Sequence, residues 1–288
     1  MNEELNNLLN KHKENKNLNI ISPENKANII QNDIQKNLEM ETDPDLIIGY
    51  EIIKLPSEGI FYKNKIKELT IEYLTSKDED ILTTPSLIEN GTVLDILLKR
   101  KIKTPNIIVD DLLPGDKDAI HLFLRMSSYG SEYKVQVIDP RNGNTFNRTV
   151  DLSKLKYKEI IEKPDENGLF YVELPMLKKI VKFKLLTSGE DDLIFKKAEA
   201  IKTAYNQEYS QYKSMKLKAS IIEINGKTDK IYIEKFVDAM PGLDVFTIRK
   251  KILEVSPGID MKYEFITDDG FKFITNLTMG IDFFFLNL

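Results

Sequence analysis

The sequence of 288 residues contains no cysteine and only two histidines, His12 and His121. Disulfide bonds and thiolate metal sites are therefore excluded, and synthesis in the cytoplasm is the natural interpretation. Because cysteine is absent and histidine is rare, we do not expect catalysis by Ser-His or Cys-His pairs, nor one of the usual zinc sites. His121 has apolar neighbours and no companion nucleophile, so we expect a surface or half-buried histidine rather than a general base.

The sequence also lacks long apolar runs and an excess of basic residues. No stretch approaches the roughly 18–20 apolar residues of a membrane span, and the first residues show no signal-peptide pattern, so we expect neither. The 41 Lys and Arg residues are outnumbered by 46 Asp and Glu residues, for a net charge of -5. This balance argues against broad binding to nucleic acid phosphates. The hydrophobic content of 41% supports a core for one large or two medium domains.

Residues 110–137 predict a turn, a helix and a strand in succession. We expect Gly115 to take a positive φ in the turn, and the short acceptor Asp116 to cap the helix. Gly130 should end the helix with a left-handed residue. Apolar residues mark the helix by their helical spacing and the strand by alternation: Ala119, Ile120, Phe123 and Leu124, then Tyr133, Val135 and Val137. The same turn–helix–glycine–strand order indicates a module that the chain carries twice.

The signals of the first half return in the same order in the second half. The corresponding pairs are Gly59–Tyr62 with Gly168–Tyr171, Leu74–Ser76 with Leu186–Ser188, Leu113–Gly115 with Met240–Gly242, and Gly130 with Gly258. We also expect a capping box from Ser76 to Glu79. Several echoes in one order favour a tandem duplication over chance. We therefore predict an α+β fold built from a duplicated strand pair–helix–helix–hairpin unit.

The predicted organisation has three parts. Residues 1–44 are rich in Asn and Lys, contain no aromatic residue and carry two short apolar stripes that could not fold alone. They form a polar N-terminal arm that is disordered in isolation or ordered on a partner. Residues 45–160 are the first repeat, and residues 161–288 are the second repeat with an aromatic C-terminus.

Two clusters of charged residues leave functional alternatives open. The four aspartates from Asp110 to Asp118 could hold a hard cation in a metal-dependent hydrolase, but helix-terminus roles explain them well. The basic stretches Lys99–Lys103 and Arg249–Lys251 could serve a nucleic-acid-binding adaptor, although solvated helix ends are the preferred interpretation. We predict no catalytic residue, no cofactor and no bound metal.

The aromatic run Phe283-Phe284-Phe285 near the C-terminus has two interpretations. It is either a last segment packed into the chain's own core or an anchor that docks onto a neighbouring subunit, where aromatic residues dominate binding. Deletion of residues 282–288 separates them. Loss of folding favours the core, and a stable protein that no longer assembles favours the anchor.

Three segments of the first repeat resemble baseplate hub and hub-assembly proteins of T-even-like contractile-tailed phages. They read LPSEGIFY (55–62), EDILTTPSLIENGTVLDILL (79–98) and DLLPGDKDAIHLFLRMSSYGSEYKV (111–135). The resemblance covers roughly residues 46–155 and is looser beyond 160. Many relatives carry a Cys-Pro-x-Cys-Gly-like knuckle where this chain has Asp139 to Gly143, so we expect a plain turn held by Pro140 and Gly143 instead of zinc.

The resemblance implies a non-enzymatic structural component of a phage baseplate hub that acts through protein–protein contacts in a hetero-oligomeric assembly. Its partners would be other baseplate and tail proteins, without membrane or nucleic acid. It would reside in the virion tail, and in the host bacterial cytoplasm during assembly. The alternative is an assembly factor absent from the mature virion. The expected partner-binding residues are Pro56, Gly59, Phe61, Tyr62, Tyr129, Phe283, Phe284 and Phe285.

Overall fold

The computed structural model describes residues 49–279 and 283–284. Contacts group Met1–Gly49 into one unit and Tyr50–Leu288 into another. The predicted N-terminal arm and Phe285 lie outside the described residues.

The first half of the Tyr50–Leu288 unit begins and ends with an antiparallel strand pair and places helices between them. Strand β1 pairs with β2 and β3 pairs with β4. The elements are β1 (Tyr50–Lys54), β2 (Glu68–Glu72), α1 (Ser76–Leu82), α2 (Pro85–Glu89), α3 (Val93–Lys101), α4 (Pro114–Tyr129), β3 (Glu132–Ile138) and β4 (Thr145–Asp151).

The second half follows the same general order with one more strand in its first sheet. Strands β6, β7 and β8 form an antiparallel three-stranded sheet, β10 pairs with β11, and the short β5 pairs with β9. The elements are β5 (Lys156–Tyr157), β6 (Phe170–Glu173), β7 (Ile180–Phe183), α5 (Ser188–Ala204), α6 (Tyr212–Ser220), β8 (Ile221–Ile224), α7 (Lys230–Asp238), α8 (Gly242–Val255), β9 (Ile259–Asp260), β10 (Lys262–Ile266) and β11 (Lys272–Asn276). The predicted α+β class is confirmed.

The helix that follows each first strand pair starts with a capping box. Thr75 caps α1 with Asp78 at the third helical position, and Thr187 caps α5 with Glu190 at the third position. The box predicted from Ser76 to Glu79 is therefore wrong by one residue, because Thr75 has the extended backbone that a cap requires.

The helices α4 and α8 each place a fully buried aspartate at their third position. The Asp116 carboxylate accepts the backbone N–H of Ser57 at 2.9 Å. The Asp244 carboxylate accepts the backbone N–H groups of Met176 at 2.8 Å and Leu177 at 3.1 Å. Asp116 is therefore not the predicted cap, since Leu113 occupies that position and the carboxylate faces a loop distant in sequence.

The loops held by these aspartates follow the same dipeptide. Leu55-Pro56 follows β1, and Leu174-Pro175 follows β6. By contrast, the predicted echo of Gly59 and Gly168 does not join equivalent positions, because Gly59 follows β1 whereas Gly168 precedes β6. We propose that the two halves are a duplication aligned on the Leu-Pro loops, the capping boxes and the buried aspartates.

Gly115 lies within the first turn of α4 and does not take the predicted positive φ. A Cβ atom there would meet the carbonyl oxygen of Pro257 at 2.1 Å, so glycine allows the close approach of two backbones. Gly130, with φ of 81°, ends α4 as predicted.

The largest core cluster combines the first half with residues from the end of the chain. It includes Leu69, Leu97, Ile120 and Leu124 together with Phe265, Phe283 and Phe284. A second cluster joins strands β7 and β8 to helices α6, α7 and α8.

Arg141 joins the tip of the β3–β4 hairpin to the tip of the β10–β11 hairpin. Its guanidinium donates to Asp139 at 2.8 Å and to Asp269 at 2.9 Å, and it lies 4.2 Å from the ring centroid of Phe271. Gly143, with φ of 76°, donates its N–H to the Asp139 carbonyl at 2.8 Å. The turn predicted in place of a zinc knuckle is present, and an ion pair links it to the second tip.

Replacing Arg141 with glutamine should lower stability at neutral pH. The hydrogen bonds from Arg141 hold the pKa of the Asp139 carboxyl below its usual range, and Arg141 followed by Thr267 does the same for the pKa of Asp269. A carboxyl whose pKa is depressed by folding stabilises above its unfolded pKa and loses that contribution as the pH falls. In urea titrations, the difference in the free energy of unfolding between the parent and R141Q should therefore be largest at pH 7 and begin to shrink as the pH falls below about 4. A difference independent of pH would contradict this role.

The purified protein should contain no stoichiometric zinc, because the hairpin tips offer carboxylates engaged with Arg141 instead of thiolates. Elemental analysis of protein purified without chelators is the check. One zinc per chain would overturn the interpretation of the tip as an ion-paired turn.

Candidate interaction surfaces

The loop from Pro56 to Tyr62 is held from within by α4. Pro56 and Gly59 are buried, and a Cβ on Gly59 would meet the carbonyl oxygen of Ile66 at 2.7 Å. The Tyr62 hydroxyl donates to Asp116 and accepts the backbone N–H of Leu113 at 2.9 Å. Burial, followed by the charge of Asp116, raises the pKa of Tyr62. The loop is therefore fixed in shape.

The outer side of this loop forms part of a groove of about 400 Å³. Phe61 and Tyr62 are half-buried, and Phe61 also lies against Phe170 with ring centroids 6.1 Å apart. Ile108 contributes an apolar side chain that is 62% exposed. Of the predicted partner-binding residues in this loop, only these two aromatic residues offer accessible surface beside an exposed aliphatic neighbour.

Tyr129 ends α4 and is half-buried. Its hydroxyl donates to Glu79 at 3.3 Å, and the Arg125 guanidinium lies 5.3 Å from its ring centroid. Tyr129 therefore closes the space between α4 and α1, with part of its ring left to solvent.

Phe283 and Phe284 are 2% and 3% exposed. The Arg125 Nε donates to the carbonyl oxygen of Phe283 at 2.8 Å, and Phe284 meets His121 edge-on at 6.1 Å. This placement favours the first interpretation of the C-terminal run, a segment packed into the chain's own core.

The aspartates from Asp110 to Asp118 do not converge on one point. Asp116 is fully buried against Ser57, whereas Asp110 is exposed and lies 3.8 Å from Lys99. Burial raises the pKa of Asp116. Within residues 49–279 and 283–284, no group of three or more His, Asp or Glu side chains could hold a metal ion. The carboxylates therefore serve loops and helices in the described structure.

His121 is buried and packs against Phe284. The surface or half-buried position expected from the sequence is therefore wrong. Burial, reinforced by the charge of Lys117, lowers the pKa of His121 to about 4. Its Nε2 has no hydrogen-bond partner in the described part of the chain. The imidazole is neutral at physiological pH.

Replacing Asp118 with asparagine should stabilise the protein at pH 7.5 by about 2 kcal/mol. Burial raises the pKa of Asp118 to about 6. Because the folded pKa lies above the unfolded value of 3.8, ionisation weakens the folded state as the pH rises between these values. Denaturant titrations should therefore show a gain for D118N at pH 7.5 that disappears at pH 3.5. An equal gain at both pH values would show that charge is not the cause.

The basic stretch Lys99–Lys103 is largely neutralised by ion pairs, and its last residue, Lys103, lies 3.1 Å from Glu72. Lys101 is buried, with its Nζ 2.5 Å from Asp78 and 3.1 Å from Glu72, and Arg100 lies 3.1 Å from Asp78. Although burial alone would raise it, hydrogen bonds led by Lys101 keep the pKa of Asp78 below its usual value. The expected solvated helix end is therefore wrong for Lys101, and little of this stretch is free to contact phosphates.

A surface that the sequence analysis missed lies around α5 and its connection to α6. Leu193 and Phe195 are 69% and 51% exposed, and Tyr205 and Tyr209 are 74% and 67% exposed. Three tyrosines within the short polar stretch Tyr205–Tyr212 were the available signal. Exposed aromatic residues at this density are typical of protein contact sites.

The described part of the chain is thus an α+β protein in which buried polar residues fix loops and accessible aromatic residues lie at the surface. The chain belongs to the family of T4 bacteriophage base plate proteins, whose profile matches residues 48–284. The matched range thus extends well beyond residues 46–155, which carry the resemblance found in the sequence. Neither a curated protein nor a solved structure matches the chain. No helix among the described residues is long and apolar enough to cross a bilayer.

Proposed function

We propose that this baseplate protein is a non-enzymatic structural component of the hub of a contractile tail, and that it acts through contacts with other baseplate and tail proteins. The observation that carries the proposal is the presence of accessible aromatic and aliphatic side chains at two separate surfaces, around Phe61 with Ile108 and around Tyr205 with Tyr209. Aromatic residues supply most of the binding energy at protein interfaces.

The internal use of the carboxylates also supports this proposal over a metal-dependent hydrolase. Asp116 and Asp244 accept hydrogen bonds from loop backbones, and Asp78 is enclosed by Lys101 and Arg100. A hydrolase needs carboxylates that face a common space where substrate and metal can meet. Ion pairing of the basic stretch likewise supports protein contacts over a nucleic-acid adaptor.

Quantitative mass spectrometry of purified phage particles tests the proposal. A structural component should be present at a fixed ratio to other tail proteins after density-gradient purification and a high-salt wash. An assembly factor should be abundant in infected cells and absent from particles. Absence from particles would therefore reject the hub component in favour of the assembly factor.

A further inference from the structure

A groove of about 450 Å³ lies between α8 and the start of α4, where Leu113, Pro114 and Gly115 form one side of it. Its apolar lining includes Leu185, Leu186, Leu217, Ile252, Leu253 and Pro257. Leu253 lines the groove and is 67% exposed, which is unusual for a large aliphatic residue. The volume falls in the range of protein binding pockets.

The first half shows what covers the corresponding helix face there. When the buried aspartates Asp116 and Asp244 are aligned, His121 corresponds to Arg249 and Arg125 corresponds to Leu253. His121 and Arg125 are both buried, because Phe284 packs on the first and the Phe283 carbonyl accepts from the second. Their counterparts Arg249 and Leu253 are exposed and line the groove.

The same alignment also compares the residues at the C-terminal ends of α4 and α8. In the first half, Tyr129 fills the space next to Glu79. Its counterpart in the second half is Pro257, and Asp191, the counterpart of Glu79, accepts instead from the hydroxyl of Tyr212 on α6 at 2.6 Å. Among residues 49–279 and 283–284, no aromatic side chain lines the groove in the place that Tyr129, Phe283 and Phe284 take in the first half.

The rim of the groove is cationic. Lys213, Lys216 and Arg249 line it, and Lys216 forms an ion pair with Asp191 at 2.6 Å. Within the described part of the chain, Lys213 and Arg249 have no ion-pair partner, and Arg249 donates only to the Lys213 carbonyl at 3.3 Å. An occupant that carries a carboxylate next to its apolar residues would complement these two charges.

We propose that this groove binds a segment of another baseplate protein that presents two adjacent aromatic side chains and a neighbouring carboxylate. Phe283 and Phe284, which follow Asp282 in the sequence, are the internal example of such a segment on the equivalent helix face. The inference rests on the proposed function for the identity of the partner, and it names the docking surface that this function would use.

Binding of a short peptide to the purified full-length chain tests the groove without phage particles. The probe is a fluorescein-labelled peptide with the sequence TMGIDFF, residues 278–284 of this chain, followed by fluorescence anisotropy. We expect saturable binding that weakens at least about tenfold when both phenylalanines of the peptide are alanine, because aromatic anchors dominate such contacts.

Variants of the protein locate the site. Leu253→Glu should weaken binding by about tenfold, and Arg249→Glu should weaken it by a factor of roughly five, while the exposed Leu243 on the same helix provides the matched control L243E with affinity unchanged. Failure of the peptide to bind, or binding equally tight in L253E and L243E, would overturn the inference. Either result would leave the particle test of the proposed function untouched.

Discussion

Replacing Phe283 with alanine should lower the free energy of unfolding by about 3–5 kcal/mol, the usual cost of removing a buried aromatic side chain from a core. The ring is 2% exposed and meets Tyr133 at a centroid distance of 4.9 Å. Its backbone carbonyl also accepts the hydrogen bond from the buried Arg125. Denaturant titration followed by circular dichroism measures the loss. Deletion of residues 282–288 should exceed it and leave little folded protein.

The exposed Tyr205, at 74% exposure, is the matched control. Its replacement by alanine should change stability by less than about 0.5 kcal/mol, as is usual for surface substitutions. A shortened chain that unfolds at the same denaturant concentration as the parent would show that the C-terminal segment is an anchor for a neighbour and not part of the core.

Substituting alanine for Asp116 or for Asp244 should cost about 3 kcal/mol in each case, because buried backbone donors lose a charged acceptor. Asp116 holds Ser57, and Asp244 holds Met176 and Leu177. Both aspartates are fully buried. If the two halves are a duplication, the two substitutions remove equivalent buried carboxylates. Denaturant titrations should therefore show similar decreases in the free energy of unfolding.

The neighbouring Asp118 provides a contrast to Asp116 in the same stability measurement. It is half-buried and should respond to neutralisation with a gain at pH 7.5, opposite in sign to the loss at Asp116. A large loss for D116A together with no loss for D244A would contradict the equivalence of the two aspartates and weaken the case for duplication.

Elements defined by local signals could be predicted from the sequence. The helix α4 with Gly130 at its end and the hairpin of β3 and β4 follow from apolar spacing and turn residues close in the chain. The position of Asp116 could not be predicted in this way. Its partner Ser57 lies 59 residues away, and local rules assign an aspartate near a helix start to capping.

The correspondence between the halves shows a similar limit. Gly59–Tyr62 and Gly168–Tyr171 have similar sequences but do not occupy equivalent positions in the fold. The equivalent positions are those of Leu55-Pro56 and Leu174-Pro175, which each follow a strand. The groove beside α8 was also hidden, because Lys213, Arg249 and Leu186 come from separate elements. Only the fold shows that, in the part of the chain the structure describes, no aromatic side chain lines the α8 groove as Phe283 and Phe284 cover α4.

If this protein works by contacting other tail proteins, cross-linking mass spectrometry on purified particles should detect those contacts. Lys63 beside Phe61, Lys196 beside Phe195 and Lys213 at the α8 groove are exposed and suit lysine-reactive reagents. We expect these lysines to form cross-links to other baseplate proteins in the particles. Particles in which this chain yields only internal cross-links would contradict this expectation.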